Sequence, residues 1–484
     1  LIPLPISGGF YESDSLPISH QQAINWYVNI PQTETALSND NLFGTSGQFQ
    51  IQTSGLTPDE ANRGSHVKNG IPYFLNKTTL YRLNSVIDGQ GIESFNLVTI
   101  GTITGDDRAT FADNGTQLMI VADNKGYIVD ASDVLAEISD PDFTASGLPQ
   151  SVTYSNSFFN VTTDSKKFVR SAANDGLNWN ALDFASAEVD PDDIVGQIVF
   201  KNQLYIGGSE TFEVFQFSPE GFYQRINGFI INKGLTNKHA IVQTTLGIMF
   251  LGAGPNETAA IWLINGSDVQ KISTTAIDSV INGYSQSDLD LCFAMTYAQA
   301  GAYFVTFTFP QATYEFNTVT NKWHERQSRV IEPTGLAVNQ RWRANSVVSA
   351  YNRLICGDSV DGRIGVISRD TYEEYGFPIV RVLTTSPFNN QSETFFIPIL
   401  ELTVESGVGG EVEPQMRLSV SKDARKFNSE IVRTFGKTGE YSKRMIWRGL
   451  GKFSRYAVLR FEMSDPVKPV IIKLEAKIRP GNAR

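Results

Sequence analysis

Hydrophobic positions in this chain come in short runs, often alternating with polar residues, and each run stops at Gly, Asn, Ser or Pro before the next begins. That is the pattern of half-buried β-strands joined by tight turns, not the period of amphipathic helices. One unit recurs: a strand, a polar turn, a second strand often closed by Gly, a short turn, then a third strand. Its clearest copy is Gly196-Gln-Ile-Val-Phe-Lys-Asn-Gln-Leu-Tyr-Ile-Gly-Gly followed by Glu213-Val-Phe-Gln-Phe. Other copies open at His66, Ala109, Ser151, Ile241, Cys292 and Ser346, so the starts fall roughly 42 to 54 residues apart. Four-stranded propeller blades repeat at about 40–50 residues. One such sheet cannot bury both faces alone. Blades stacked radially cover each other, and closure of the ring protects their edges. Asn69-Gly70 and Asn114-Gly115 supply hairpin turns that need positive φ. The spacing predicts a β-propeller over residues 61–371, of six or seven blades with seven preferred. The competing all-β arrangement is two or three sandwiches in series.

The repeat fails at both ends. Residues 1–60 are rich in Pro, Ser, Gln and Asn and read as an extended arm leading into the first blade. Residues 372–484 show strands without the blade period: Phe395 to Val404 alternates, then come Met416 to Ser421, Tyr456 to Met463 and Val470 to Ala476. These predict a separate, β-sandwich-like domain, so the fold class is all-β throughout.

Composition sharpens this. The chain has 31 Phe, 17 Tyr and 41% hydrophobic residues, enough for packed cores. No run approaches the roughly 20 apolar residues of a membrane span, so no membrane insertion of its own is expected. Leu1 to Gly8 has no basic flank and does not read as a secretory signal. Cys292 and Cys356 sit in apolar stretches and read as buried free thiols, in keeping with folding in a reducing cytoplasm. The formal charge is −11, unevenly spread. Residues 415–484 hold 17 Lys and Arg against 6 Asp and Glu, which leaves −22 on residues 1–414. Such asymmetry points to different electrostatic partners for the two parts.

Few residues suggest chemistry. The four histidines lack a second His or Cys at ligand spacing, so no metal and no cofactor is expected. There is no phosphate-binding Gly loop and no nucleophile elbow, and no catalytic residue is assigned. Ser171, Asp175, Gly176 and Trp179 match the Asp-box turn of sialidase-type propellers, with a weaker copy at Ser421 to Phe427. The Asp of such a turn accepts backbone N–H bonds while the aromatic ring packs beneath, so it is read as structural. Asp190, Asp192 and Asp193 form a carboxylate cluster, read as a strand-entry turn. The basic and aromatic stretch Lys443, Arg444, Trp447, Arg448, Lys452 and Arg455 is the candidate contact with another subunit or an adaptor, favoured over nucleic acid because the rest of the chain is acidic.

Four segments together resemble the tail-hub or nozzle proteins of short-tailed phages, also called packaged-DNA stabilisation proteins. They are Ile24 to Asn29 with Leu42 to Gly47; Leu182 to Glu188 with Asp190-Pro191-Asp192 and Ile194 to Gly196; Gly207 to Phe215 with Lys233-Gly234-Leu235; and Lys443 to Phe453 closed by Ser464-Asp465-Pro466-Val467. Ser46 stands where the pattern would have Pro. The resemblance implies a non-enzymatic virion protein of the tail, assembled in the host bacterial cytoplasm. It further implies a homohexameric ring below the portal and its adaptor ring, a channel for double-stranded DNA that passes without specific binding, a needle or plug, and sites for tailspikes or fibres. The alternative is a propeller glycosidase or sugar-binding module acting on host surface polysaccharide.

Overall fold

The computed structural model describes residues 1–484 except 32, 34, 40, 52–59, 188–191, 392, 410–412 and 482–484. The chain is all-β: a β-propeller followed by a β-sandwich. Helix is confined, among the described residues, to Thr275–Asn282, Gln286–Leu289 and the short 3-10 turn Pro141–Thr144. No described helix is long and apolar enough to cross a membrane.

Six sheets stand free as blades. Four are four-stranded antiparallel meanders over 62–102, 110–137, 149–186 and 194–231, one is five-stranded over 234–271, and one is built around Ala344–Ala350, Arg353–Asp358 and Ile364–Ser368. The propeller thus has six blades, and the preference for seven is corrected to the other number the spacing allowed. The unit opening at Cys292 is the exception. Its strands Phe293–Gln299, Ala302–Thr308, Thr313–Asn317 and Lys322–Ile331 run on, through His20–Ile24 and Arg381–Thr384, into one twelve-stranded sheet shared with the sandwich. Its first strand lies between Ile241–Gln243 and Ala344–Ala350, and Ala344–Ala350 in turn packs on Asn62–Lys68 to close the ring.

The first hairpin of most units turns on two residues that both have positive φ: Asn69-Gly70, Asn156-Ser157, Lys201-Asn202, Ala300-Gly301 and Tyr351-Asn352. Such turns match the right-handed strand twist. Apolar faces then pack blade on blade, as where the ring of Phe212 meets that of Phe250 at 4.9 Å. Asn114-Gly115 differs: only Gly115 has positive φ, and Asn114 Oδ1 caps the turn by accepting from the N–H groups of Thr116 and Gln117.

Residues 1–60 do not simply lead into the first blade. Ile2–Leu4 pairs with Val470–Pro480, and the hairpin Trp26–Asn29/Asn41–Gly44 joins the same sandwich sheet. Gly47–Gln50 pairs with Ile364–Ser368 and supplies the next strand of the last blade. Two causes act together: these N-terminal segments carry Leu4, Trp26, Val28 and Leu42, which are buried in the sandwich core, and their backbones pair the otherwise open edges of the last blade and the sandwich.

Both cysteines are free and buried. Burial pushes each thiol up to about 12. At pH 8 their thiolate fraction is then on the order of a thousandfold below that of an ordinary cysteine. Labelling by a thiol reagent is expected to be slower by about that factor in the native protein than in denaturant; rapid native labelling would contradict the packing.

Candidate functional site

The basic stretch of the sandwich divides by strand periodicity. Met445–Arg448 pairs with Phe395–Val404, placing Leu400 opposite Trp447 and Ile399 opposite Arg448. Successive side chains alternate faces, so Met445 and Trp447 enter the core while Arg448 faces solvent. Trp447 is fully buried, donates its Nε1–H to the Ile431 carbonyl at 2.9 Å and meets Phe461 edge-on. It is a core residue and is withdrawn as a contact candidate. Lys443 is paired with Glu413. Arg444 forks onto Glu401 at 2.7 and 2.6 Å. Arg448, Lys452 and Arg455 are exposed and make no ion pair among the described residues, so they remain the available cations of the six.

The Asp-box turn holds one blade to the next. Asp175 Oδ1 accepts the Leu177 N–H at 3.0 Å, and Ser171 Oγ accepts the Phe159 N–H at 3.1 Å. Trp179 donates Nε1–H to the Gly176 carbonyl at 2.8 Å and packs 4.7 Å from Phe143 of the preceding segment. Gln117, on the neighbouring blade, accepts the Gly176 N–H at 2.8 Å. The weaker copy is a true turn as well: Asp423 Oδ1 accepts from the N–H groups of Arg425 and Lys426 at 2.9 and 2.7 Å.

Of the carboxylate cluster, Asp190 lies outside the described residues. Asp192 Oδ2 accepts the N–H groups of Glu210 and Thr211 at 2.9 and 3.1 Å, tying a strand entry to the Gly207–Phe215 segment. No group of three potential metal ligands occurs among the described residues.

A further buried polar site carries no motif in the sequence. It lies where propeller, N-terminal strands and sandwich meet. Asn25, at φ 58°, receives the Gln327 N–H on Oδ1 at 3.0 Å. Its amide donates to the carbonyls of Gln327 at 2.9 Å and Val380 at 2.8 Å. Asn tolerates this left-handed backbone, and one side chain thereby holds the propeller strand and the entry to the sandwich together. Beside it, the buried Arg326 guanidinium donates to Tyr297 Oη at 2.9 Å and to the Ser46 carbonyl at 3.0 Å, lies 3.8 Å from Glu315 and stacks 3.6 Å over Trp342. His324 meets the other Glu315 oxygen at 2.8 Å. Burial alone would raise the Glu315 carboxyl; Arg326 and His324 overcome it and hold it below the usual range. Gly44 is required here by close approach, since a Cβ would stand 2.1 Å from Pro469 Cγ and 2.7 Å from Arg381 Nε. Ser46 donates to Gln299 Oε1 at 2.5 Å, a bond that Pro could not make. The one available signal was Glu315 itself, a charge inside the apolar run Tyr314-Glu315-Phe316.

The described residues thus form a buried joint between propeller, N-terminal strands and sandwich, and leave three unpaired cations exposed on the sandwich. A family model described as Bacteriophage P22 Gp10, beta-propeller, matches residues 17–372, and a second, Bacteriophage P22 Gp10, beta-sandwich, matches residues 380–479. No curated protein matches the chain. Among solved structures, the WD40 beta propeller domain of Doa1 is similar at 11% identity and TM-score 0.39, covering 66% of this chain and 97% of that one. The extracellular domain of a putative hybrid two component system, BT4673 from B. thetaiotaomicron, aligns at 10% identity and TM-score 0.40, covering 76% and 45%. The computationally designed Ika8 protein aligns at 10% identity and TM-score 0.36, covering 67% and 99%.

Proposed function

The chain belongs to the bacteriophage P22 Gp10 family of tail-nozzle, DNA-stabilisation proteins, and from that premise we propose that it builds a homohexameric ring at the base of the phage tail. The ring surrounds the exit channel for double-stranded DNA below the portal and its adaptor ring. It retains the packaged genome with a needle or plug and anchors tailspikes or fibres. It assembles in the host bacterial cytoplasm and ends in the virion, without catalytic activity. The observation that carries this reading is the family match over both propeller and sandwich. The same match favours a structural part over the glycosidase or sugar-binding alternative.

Available cations at Arg448, Lys452 and Arg455 support a subunit or adaptor contact, because opposite charge steers association and fixes register. The −22 on residues 1–414 makes an acidic bore available. Such a bore lets DNA slide, since each Lys or Arg on a phosphate adds a counterion-release term that favours retention. Electron microscopy of purified virions is expected to place six copies in a tail ring with a negative channel. A tail lacking this chain would refute the reading, and a bore lined mainly by Lys and Arg would refute its electrostatic half.

A further inference from the structure

Between the propeller and the sandwich lies a cleft of about 540 Å³, within the size range of ligand-holding sites. Its walls carry four arginines and one carboxylate: Arg329 from the propeller strand Lys322–Ile331, Arg417 and Arg460 with Glu462 from the sandwich, and Arg425 beside Phe427 from the second Asp-box-like turn. Glu462 is shared, 3.3 Å from Arg417 and 3.7 Å from Arg460, and Arg417 also lies 3.8 Å from Glu430. Arg460 also stands 5.9 Å from the Phe427 ring centre. Arg329 and Arg425 make no ion pair among the described residues. The wall is held in place. Asp423 fixes the turn that presents Arg425, and His20 Nδ1 bonds the Ala424 carbonyl at 2.7 Å, tying that turn to the N-terminal strand.

This excess of cations is out of keeping with a chain of net charge −11. Two such copies repel overall, and a local patch of opposite sign offsets that repulsion and sets the register. Low-dielectric walls on both sides focus that patch. Guanidinium groups also match carboxylates in planar, bidentate geometry. We propose that the cleft receives a carboxylate-bearing loop from the acidic propeller of a second copy of this chain. The proposal deepens the self-assembly part of the proposed function. A second copy is the occupant the charge distribution favours, because the propeller, residues 61–371, holds 32 Asp and Glu against 22 Lys and Arg, a net of −10. A DNA duplex is the less favoured occupant: Glu462 lines the same wall and would face its phosphates with like charge.

The test compares the full-length wild type with Arg329→Glu/Arg425→Glu by sedimentation at low and high salt. A circular-dichroism melt confirms folding. Wild-type association is expected to weaken with salt, and the double variant is expected to associate about tenfold or more weakly at low salt. Octaglutamate peptide should inhibit the wild type and have no effect on the variant, whereas a short duplex should not compete. Should the double variant misfold, peptide inhibition of the wild type decides by itself. Association of the variant at wild-type strength, failure of octaglutamate to inhibit, displacement by the duplex, or a wild type monomeric at every salt concentration would overturn the inference. Detection of the chain in virion tails is independent of all these readings, so the cleft can fail while the tail assignment stands.

Discussion

Replacing Arg326 by Leu is expected to destabilise the protein by about 3–5 kcal/mol, the cost of breaking a buried ion pair from one side. The guanidinium is buried and serves four partners at once: Tyr297, the Ser46 carbonyl, Glu315 and the face of Trp342. Leu fills part of the volume and supplies none of these bonds. Glu315, itself buried, would then keep only His324 and Tyr297 as hydrogen-bond partners. The effect has a pH signature. In the wild type Glu315 has a lowered pKa, so its contribution is present above the unfolded carboxylate value of about 4.3 and is lost as pH falls through the folded value. Without Arg326, burial dominates and the Glu315 carboxyl moves up. Its contribution then turns unfavourable as pH rises past about 4.3. The gap between wild type and variant should be wide near neutrality and narrow at acid pH, as read from urea unfolding. Adding Glu315→Gln to the variant should recover part of the loss. A gap that does not change with pH would show that lost packing, not the stranded carboxylate, sets the cost.

Trp447→Ala is expected to cost about 3–5 kcal/mol, while Arg448→Ala, its neighbour in the same strand, is expected to stay within about 0.5 kcal/mol. Trp447 is completely buried among the sandwich core residues, and its removal leaves a large cavity and an orphaned Ile431 carbonyl. Arg448 is exposed and unpaired among the described residues. Thermal unfolding of the two single variants checks the contrast. Equal losses would mean that the alternation of faces along Met445–Arg448 is misassigned. The comparison also separates two roles that basic-aromatic composition runs together: a ring that holds the sandwich and a cation free for a partner.

The difference between those two residues shows where sequence reading ran short. Lys443, Arg444 and Arg448 look alike in the chain, yet Glu413 and Glu401 already engage the first two. Those acids lie 30 and 43 residues away, a separation at which no local pattern pairs them. The Asp-box turns were legible because a short, fixed spacing puts the Asp against its own backbone N–H groups, as Asp175 and Asp423 both show.

Strand period and the recurring unit are local properties, and they determined the all-β class and the propeller-then-sandwich order from sequence alone; of the two turns named for positive φ, Asn69-Gly70 has it at both residues and Asn114-Gly115 at Gly115 only. The burial of both cysteines followed from their apolar flanks in the same way. Three things were decided only in the tertiary structure. The N-terminal segments became strands because distant sheet edges had backbone groups to satisfy and the sandwich core had room for Leu4, Trp26, Val28 and Leu42. The unit at Cys292 gave up a separate blade because the strand His20–Ile24 bridges it to Arg381–Thr384, joining two sheets into one. The joint at Asn25, Glu315 and Arg326 exists because chain folding brings positions some three hundred residues apart within hydrogen-bond reach. Glu315, His324 and Arg326 lie within one hairpin, but the Ser46 carbonyl and Asn25 that complete the joint come from about 280 and 302 residues away, so the stretch that holds the charges does not show what they fasten.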